Sequence, residues 1–199
     1  MIPECRLMPD SNVSCSWANK TSKMKEYHDH EWGRPLHDED QLVALFVFET
    51  FQAGLSWSIV LEKRDEIRKA LYSFDLEKII SLSDNDVISI LENPRIIRNI
   101  AKIKSAIQNA RIIHSMHERG TTFSELVWSF KPKAHITPGS LHETPCETEE
   151  SRKMSNHLRK LGFTFAGPVI CYSFMQGAGI VNDHISGCPI GLEISGLYR

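Results

Sequence analysis

Cysteine and histidine gather at the two ends of this chain. Cys15 is followed by His28 and His30, and near the other end stands His184-Ile-Ser-Gly-Cys188. A His-x3-Cys pair can place two ligands on one cation, and a closed tetrahedral site draws four ligands from this menu. Cys15, His28, His184 and Cys188 would complete a Cys2His2 zinc site tying the ends together, with His30 the competing ligand in the first cluster. A site whose four positions are all filled by protein is structural rather than catalytic. The same spacing also fits buried cysteines and surface histidines, because ligands so far apart are less telling than paired CxxC motifs. The five cysteines are too scattered for a disulfide framework.

A second constellation centres on Glu49. It shares a helical face with Leu42, Leu45 and Gln52 in the most hydrophobic segment of the chain. A carboxylate buried there is costly unless paired or used. Ala53-Gly54-Leu55-Ser56-Trp57 follows as a glycine break with an aromatic, while Tyr27 and Trp32 flank His28. An acceptor with aromatic walls is equipped to grip a flat, electron-poor or cationic heterocycle. The plainer alternative pairs Glu49 with a basic neighbour and leaves the aromatics as core.

A third unit suits phosphates. The basic segment Ser151–Leu161 leads into Gly162-Phe-Thr-Phe-Ala-Gly167, and Pro168 opens another helix. Gly162 and Gly167 permit close backbone approach, and free N–H groups at a helix start favour anions. Residues 92–119 add a second positive stretch with Arg98 and Lys102. An ordinary helical hairpin with a solvated charged face has the same pattern.

The elements that must position these groups are helical. Residues 38–53 begin with acids and turn apolar around the whole circumference, which predicts a buried helix. Residues 56–74 continue helically, with Ile59, Leu61, Ile67 and Leu71 as candidate core. Ser83 to Asp86 gives a cap signal, Pro94 breaks the chain, and a long helix is predicted from about Ile97 to Met116 with Ile100, Ile103, Ile107 and Ala110 on one face. Residues 131–148 contain three prolines and read as a surface loop. Nothing signals a sheet or a repeat. The expected architecture is all-α, with a tail over 1–14, one helical domain of two packed lobes over 15–190 and a second tail over 191–199.

The whole composition agrees with one domain of 199 residues, 41% hydrophobic, with 23 basic against 25 acidic side chains. Bulk disorder is excluded, and a net charge of −2 argues against a partner held by overall positive potential, though not against a local phosphate patch. No run reaches the roughly 18–20 apolar residues of a membrane span, and the first residues lack a secretory signal, so a cytoplasmic monomer without membrane contact is expected.

Taken together, the motifs resemble the 3-methyladenine DNA glycosylase I family. The resemblance is carried by Cys15-Ser-Trp17, Tyr27-His-Asp-His-Glu-Trp-Gly33, Gln52-Ala-Gly-Leu-Ser-Trp57, Ile97-Arg98 with Lys102-Ile103, Leu126-Val-Trp-Ser-Phe130, and Cys171-Tyr-Ser-Phe-Met-Gln176 with Val181-Asn-Asp-His184. These run in family order over nearly the whole chain. The resemblance implies a helix-hairpin-helix glycosylase fold with structural Zn²⁺ on Cys15, His28, His184 and Cys188. It implies Glu49 as the base-recognising carboxylate, Tyr27 and Trp57 as pocket aromatics, and Gly54 with Leu55 as the loop that fills the gap left in the DNA. Met24, Thr50-Phe51 and Gly167-Pro168 depart from the family pattern.

The expected reaction is hydrolytic excision of 3-methyladenine from double-stranded alkylated DNA, in base excision repair, by an enzyme without lyase activity. Arg98, Lys102 and the glycine-bounded turn would grip flanking phosphates. Asn182 and Asp183 occupy the region where the wider superfamily places a catalytic aspartate, and neither is expected to fill that role. Two rival readings are a non-catalytic zinc-containing DNA-binding relative, against which Glu49 and Trp57 speak, and a zinc hydrolase of small molecules, which would need an open metal position.

Overall fold

The computed structural model of the protein describes residues 15–196. The tail expected over 1–14 lies outside the described residues. Ten α-helices and two short 3₁₀ turns account for the regular structure of the described residues, and none of them is a strand. No described helix is long and apolar enough to cross a membrane.

The centre of the fold is α2 (Glu39–Gln52), in which every residue from Leu42 to Phe51 is buried. Its start follows from the acids before it: the Asp38 carboxylate accepts from the Gln41 N–H at 3.0 Å, and Glu39 and Asp40 stand in the positive first turn. Glu39 also caps α7 (Phe123–Trp128), accepting from the Phe123 and Ser124 N–H groups at 2.8 and 2.7 Å. Helices α3 (Trp57–Ala70), α6 (Ile100–Glu118), α7 and α9 (Pro168–Gly177) all pack on α2.

Several boundaries differ from the sequence reading for local reasons. The segment after Ser56 leaves the α-helix at Ala70, because Tyr72, Ser73 and Phe74 take positive φ values in a 3₁₀ turn. The long helix begins at Ile100, where the Asn99 side chain accepts from the Lys102 N–H at 3.2 Å. Ile100 and Ile59, both expected in the core, are 49% and 39% exposed. The domain end expected at residue 190 falls inside α10 (Pro189–Ser195), which buries Gly191 and Ile194.

Between these elements, α4 (Leu76–Ile80) and α5 (Asp84–Glu92) cover one side, α5 opening with a capping box between Ser83 and Asp86. Near the other end, α8 (Glu149–Lys160) packs on α9 across the turn at Gly162 to Gly167. Residues 131–148 form no helix, as expected.

Apolar residues collect in two clusters. The larger surrounds α2; the smaller joins Cys15, Met24 and Tyr27 of the N-terminal region, including α1 (Ser22–His30), to Ile185 and Cys188 near the C-terminus. Trp57 packs against both. The candidate site lies where they meet.

Candidate active site and metal-ligand cluster

Glu49 sits in the third turn of α2 with only 3% of its surface exposed. Its Oε2 is buried without a hydrogen-bond partner. Among the described residues no basic side chain pairs with it, and burial alone pushes its carboxyl from 4.5 up to about 8. The alternative of a Glu49 neutralised by a basic neighbour is therefore not found among the described residues.

This carboxyl faces a cavity of about 560 Å³ whose walls include Trp17, Met24, Tyr27, Trp32 and Trp57. That volume lies in the range of small-molecule sites. Tyr27 and Trp57 have ring centroids 5.2 Å apart with planes at 51°. Burial, and next the Glu49 charge, hold the Tyr27 hydroxyl well above its ordinary pKa, so it stays protonated. Trp57 opens α3, and its indole N–H is buried without an acceptor. An acid and an aromatic N–H inside apolar walls can orient a planar heterocycle by its edge while the rings contact its faces.

The other side of the cavity was less visible in the sequence. Leu141, Thr144, Pro145 and Cys146 come from the proline-containing loop, and Tyr172, Ser173, Gln176 and Asp183 from α9 and the segment after it. Asp183 is committed to holding this wall together. Its Oδ2 accepts from Tyr172 and Gln176, each at 2.6 Å, and its Oδ1 lies 2.9 Å from His135 Nε2, an ion pair whenever that imidazole is protonated. Pro138 O accepts from Ser186 N–H at 2.8 Å, fastening the loop a second time. The pattern that signalled a surface loop carries no clear cue to this role, because its larger aliphatic residues are Leu141, which lines the cavity, and Ile136, which is 90% exposed.

Beside the cavity lies the exposed turn after α2. Gly54 takes φ +77°, and a Cβ there would meet nothing within 4 Å, so its backbone conformation alone selects glycine. Leu55 projects with 37% of its surface exposed.

Lys102 differs from the sequence reading. It is 4% exposed, and its Nζ donates to Phe51 O and Ala53 O, both at 2.7 Å. Helix α2 has no basic residue in its last turn, and Lys102 reaches across from α6 to satisfy those C-terminal carbonyls. Its charge is spent inside rather than offered to a phosphate.

Arg98 is exposed just before α6 and forms no ion pair among the described residues. In the α8–α9 turn, Gly162 has φ +97° as expected, whereas Gly167 is extended at φ −72° and caps α9. The second positive φ in that turn belongs to Phe165, at 54°.

The four proposed metal ligands converge. Their donor atoms all lie within 4.8 Å of one another, and all four residues are buried. His184 Nδ1 is 3.1 Å from His28 Nε2, 3.5 Å from Cys188 Sγ and 3.7 Å from Cys15 Sγ, and Cys188 Sγ is 3.7 Å from His28 Nε2. A tetrahedron of two nitrogens and two sulfurs around Zn²⁺ has edges of about 3.3–3.8 Å, so the donor set fits. His28 Nδ1 faces Asp29 Oδ1 at 2.7 Å and His184 Nε2 faces Trp32 O at 3.1 Å, contacts that fix which ring nitrogen points inward. Gly191 is required here, since a Cβ would come within 2.5 Å of His184 Cβ. His30, the competitor, is outside the cluster.

Comparison with known proteins agrees with this geometry. Residues 17–191 match the family model described as methyladenine glycosylase. The chain is 39% identical over 178 residues to the DNA-3-methyladenine glycosylase of Haemophilus influenzae, covering 88% of this chain and 96% of that protein. It is 40% identical over 176 residues to DNA-3-methyladenine glycosylase 1 of Escherichia coli, covering 87% and 94%. A solved structure of 3-methyladenine DNA glycosylase I from Staphylococcus aureus, described as showing the structural basis of 3-methyladenine recognition, superposes with a TM-score of 0.85 at 27% identity, covering 92% of this chain and 98% of that one.

Proposed function

The chain belongs to the methyladenine glycosylase family, and from that premise we propose that it excises 3-methyladenine from alkylated duplex DNA as a monofunctional glycosylase. The observation that carries this reading is the unpaired Glu49 carboxyl inside an aromatic cavity.

A base within a duplex cannot enter such a cavity, so the nucleotide must be turned out of the stack at a cost of a few kcal/mol. Leu55, on the turn that Gly54 permits, would occupy the space vacated. Gly162, Gly167 and Arg98 would face the flanking phosphates, a helix-hairpin-helix use of the α8–α9 unit. Arg159 and Lys160 at the end of α8 add positive charge beside that turn. Alkylation at N3 makes the base cationic and its bond to the sugar labile. Tyr27 and Trp57 would favour the cation through their π faces, and Glu49 would accept from its exocyclic amine or a ring N–H.

In the reaction the glycosidic C–N bond breaks and its electron pair neutralises the departing base. Water adds hydroxide to the sugar carbon and releases a proton, leaving an abasic site. The leaving group is already activated, so no acid is required. Asp183, engaged by Tyr172, Gln176 and His135, is not assigned a part in this step.

We further propose that Cys15, His28, His184 and Cys188 hold Zn²⁺, which when bound supplies a cross-link between the chain ends and leaves no position for substrate. The protein would act as a monomer on DNA inside the cell.

The test is release of free base from methylated duplex DNA. Wild type is expected to release 3-methyladenine, and Glu49→Gln to do so far more slowly. A zinc-loaded wild type that releases nothing would sink the reading and leave a DNA-binding relative without the chemistry.

A further inference from the structure

Buried polar groups in folded proteins almost always find a hydrogen-bond partner, so each exception asks for a reason. Among the described residues, four buried side-chain atoms make no hydrogen bond: Glu49 Oε2, Trp57 Nε1, Thr144 Oγ1 and Asp183 Oδ1. All four residues line the same cavity. Asp183 Oδ1 lies 2.9 Å from His135 Nε2, a contact that raises the pKa of that imidazole and becomes an ion pair when it is protonated. The remaining three belong to α2, α3 and the loop on the opposite wall, so separate parts of the chain bring residues with unsatisfied polar atoms to the lining of one cavity.

Thr144 is the member of this set with no assigned purpose. Its loop is anchored around it: the Thr144 N–H donates to Leu141 O at 3.3 Å, Glu143 holds the Gly139 N–H at 2.8 Å, and Ser140 Oγ donates to Glu143 at 3.1 Å. The backbone is thus held while the hydroxyl is left unused. A threonine serving only as filler would cost less as valine, because a buried hydroxyl without a partner is unfavourable.

We propose that Thr144 is a specificity-determining residue of the base pocket, its hydroxyl supplying a hydrogen bond to the extruded alkylated purine. This deepens the glycosylase reading and rests on it. Glu49 as a carboxylate only accepts and the Trp57 indole only donates, whereas a hydroxyl does either. The three together complement the mixed donor and acceptor edge of an adenine, and a pocket built to hydrogen-bond its ligand discriminates against bases that leave those groups unpaired.

The experiment compares wild type, Thr144→Val and Thr144→Ser in affinity for free 3-methyladenine, in base release from methylated duplex DNA and in melting temperature. Valine keeps the shape and removes the hydroxyl. It is expected to weaken base affinity about three- to tenfold without lowering the melting temperature, while serine restores affinity. Equal affinity of valine variant and wild type overturns the inference, as does a serine variant as weak as valine, which would assign the effect to the methyl group. Absence of base release by the wild type would instead overturn the glycosylase reading, and is read separately from the affinities.

Discussion

The Glu49 carboxyl makes the stability of this protein depend on pH in a way that one substitution removes. In the folded state burial raises its pKa from 4.5 to about 8; in the unfolded chain it titrates near its ordinary value. Between those limits the folded state holds a proton that the unfolded state has released. Stability contributed by this group is therefore fully present below about pH 4.5 and is lost as pH rises towards 8, at about 1.4 kcal/mol per pH unit. The whole rise amounts to about 5 kcal/mol, a large share of the 5–15 kcal/mol typical of a domain. Glu49→Gln resembles the protonated acid in shape and cannot ionise. Urea unfolding of both proteins at pH 5, 7 and 8.5 should show nearly equal stabilities at the lowest pH and a growing advantage for the glutamine variant above it. Other titrating groups are common to both proteins and cancel in the difference. A gap that stays constant across the range would mean that the carboxyl is solvated or paired, and would refute the reading of the site as a buried, unpaired acid.

Two further outcomes follow from the positions of charged and ligating groups. Lys102→Met removes the ammonium that serves Phe51 O and Ala53 O, and should destabilise the fold by about 2–3 kcal/mol in urea unfolding while leaving the salt dependence of DNA binding unchanged; a phosphate contact would instead lower that slope by about one. His184→Ala should abolish bound zinc measured by atomic absorption and lower the melting temperature by about 10 °C or more, and an unchanged melting temperature would remove the metal from the architecture.

The features legible in the sequence are those that follow from local rules. Helix α2 was legible because its acids sit at the start and its apolar residues surround the axis, and Glu49 stood out against that background. The Cys2His2 group was legible by residue type, although its spacing alone fits buried cysteines and surface histidines as well; what the fold adds is that the four donor atoms converge. The burial of Lys102 is not legible because its partners, Phe51 and Ala53, are distant in sequence and are backbone carbonyls, which no side-chain pattern displays. The position of Thr144 is not legible for a related reason: a threonine in a proline-containing loop reaches the cavity only because the loop is fastened to Asp183 and Ser186. The last helix is not legible in the sequence because seven residues that include Pro189 and Gly191 carry too short a period.

The cost of burying Glu49 also bears on how an alkylated base would be distinguished from an ordinary adenine of nearly the same shape. With a pKa of about 8, the empty site at neutral pH holds mostly the neutral acid. A positive charge within 4–6 Å lowers a carboxyl pKa by about 1–3, so a cationic base would bring Glu49 to ionise against it. An uncharged adenine supplies no such field and would meet a protonated acid, which lacks the charge that makes the pair strong in a site of low polarity. The penalty carried by the free protein is thus withheld until the ligand itself provides the compensating charge. Discrimination of this kind requires that no lysine or arginine neutralise Glu49 beforehand, and among the described residues burial is the cause that raises its carboxyl, while the buried Lys102 is held on the carbonyls of Phe51 and Ala53.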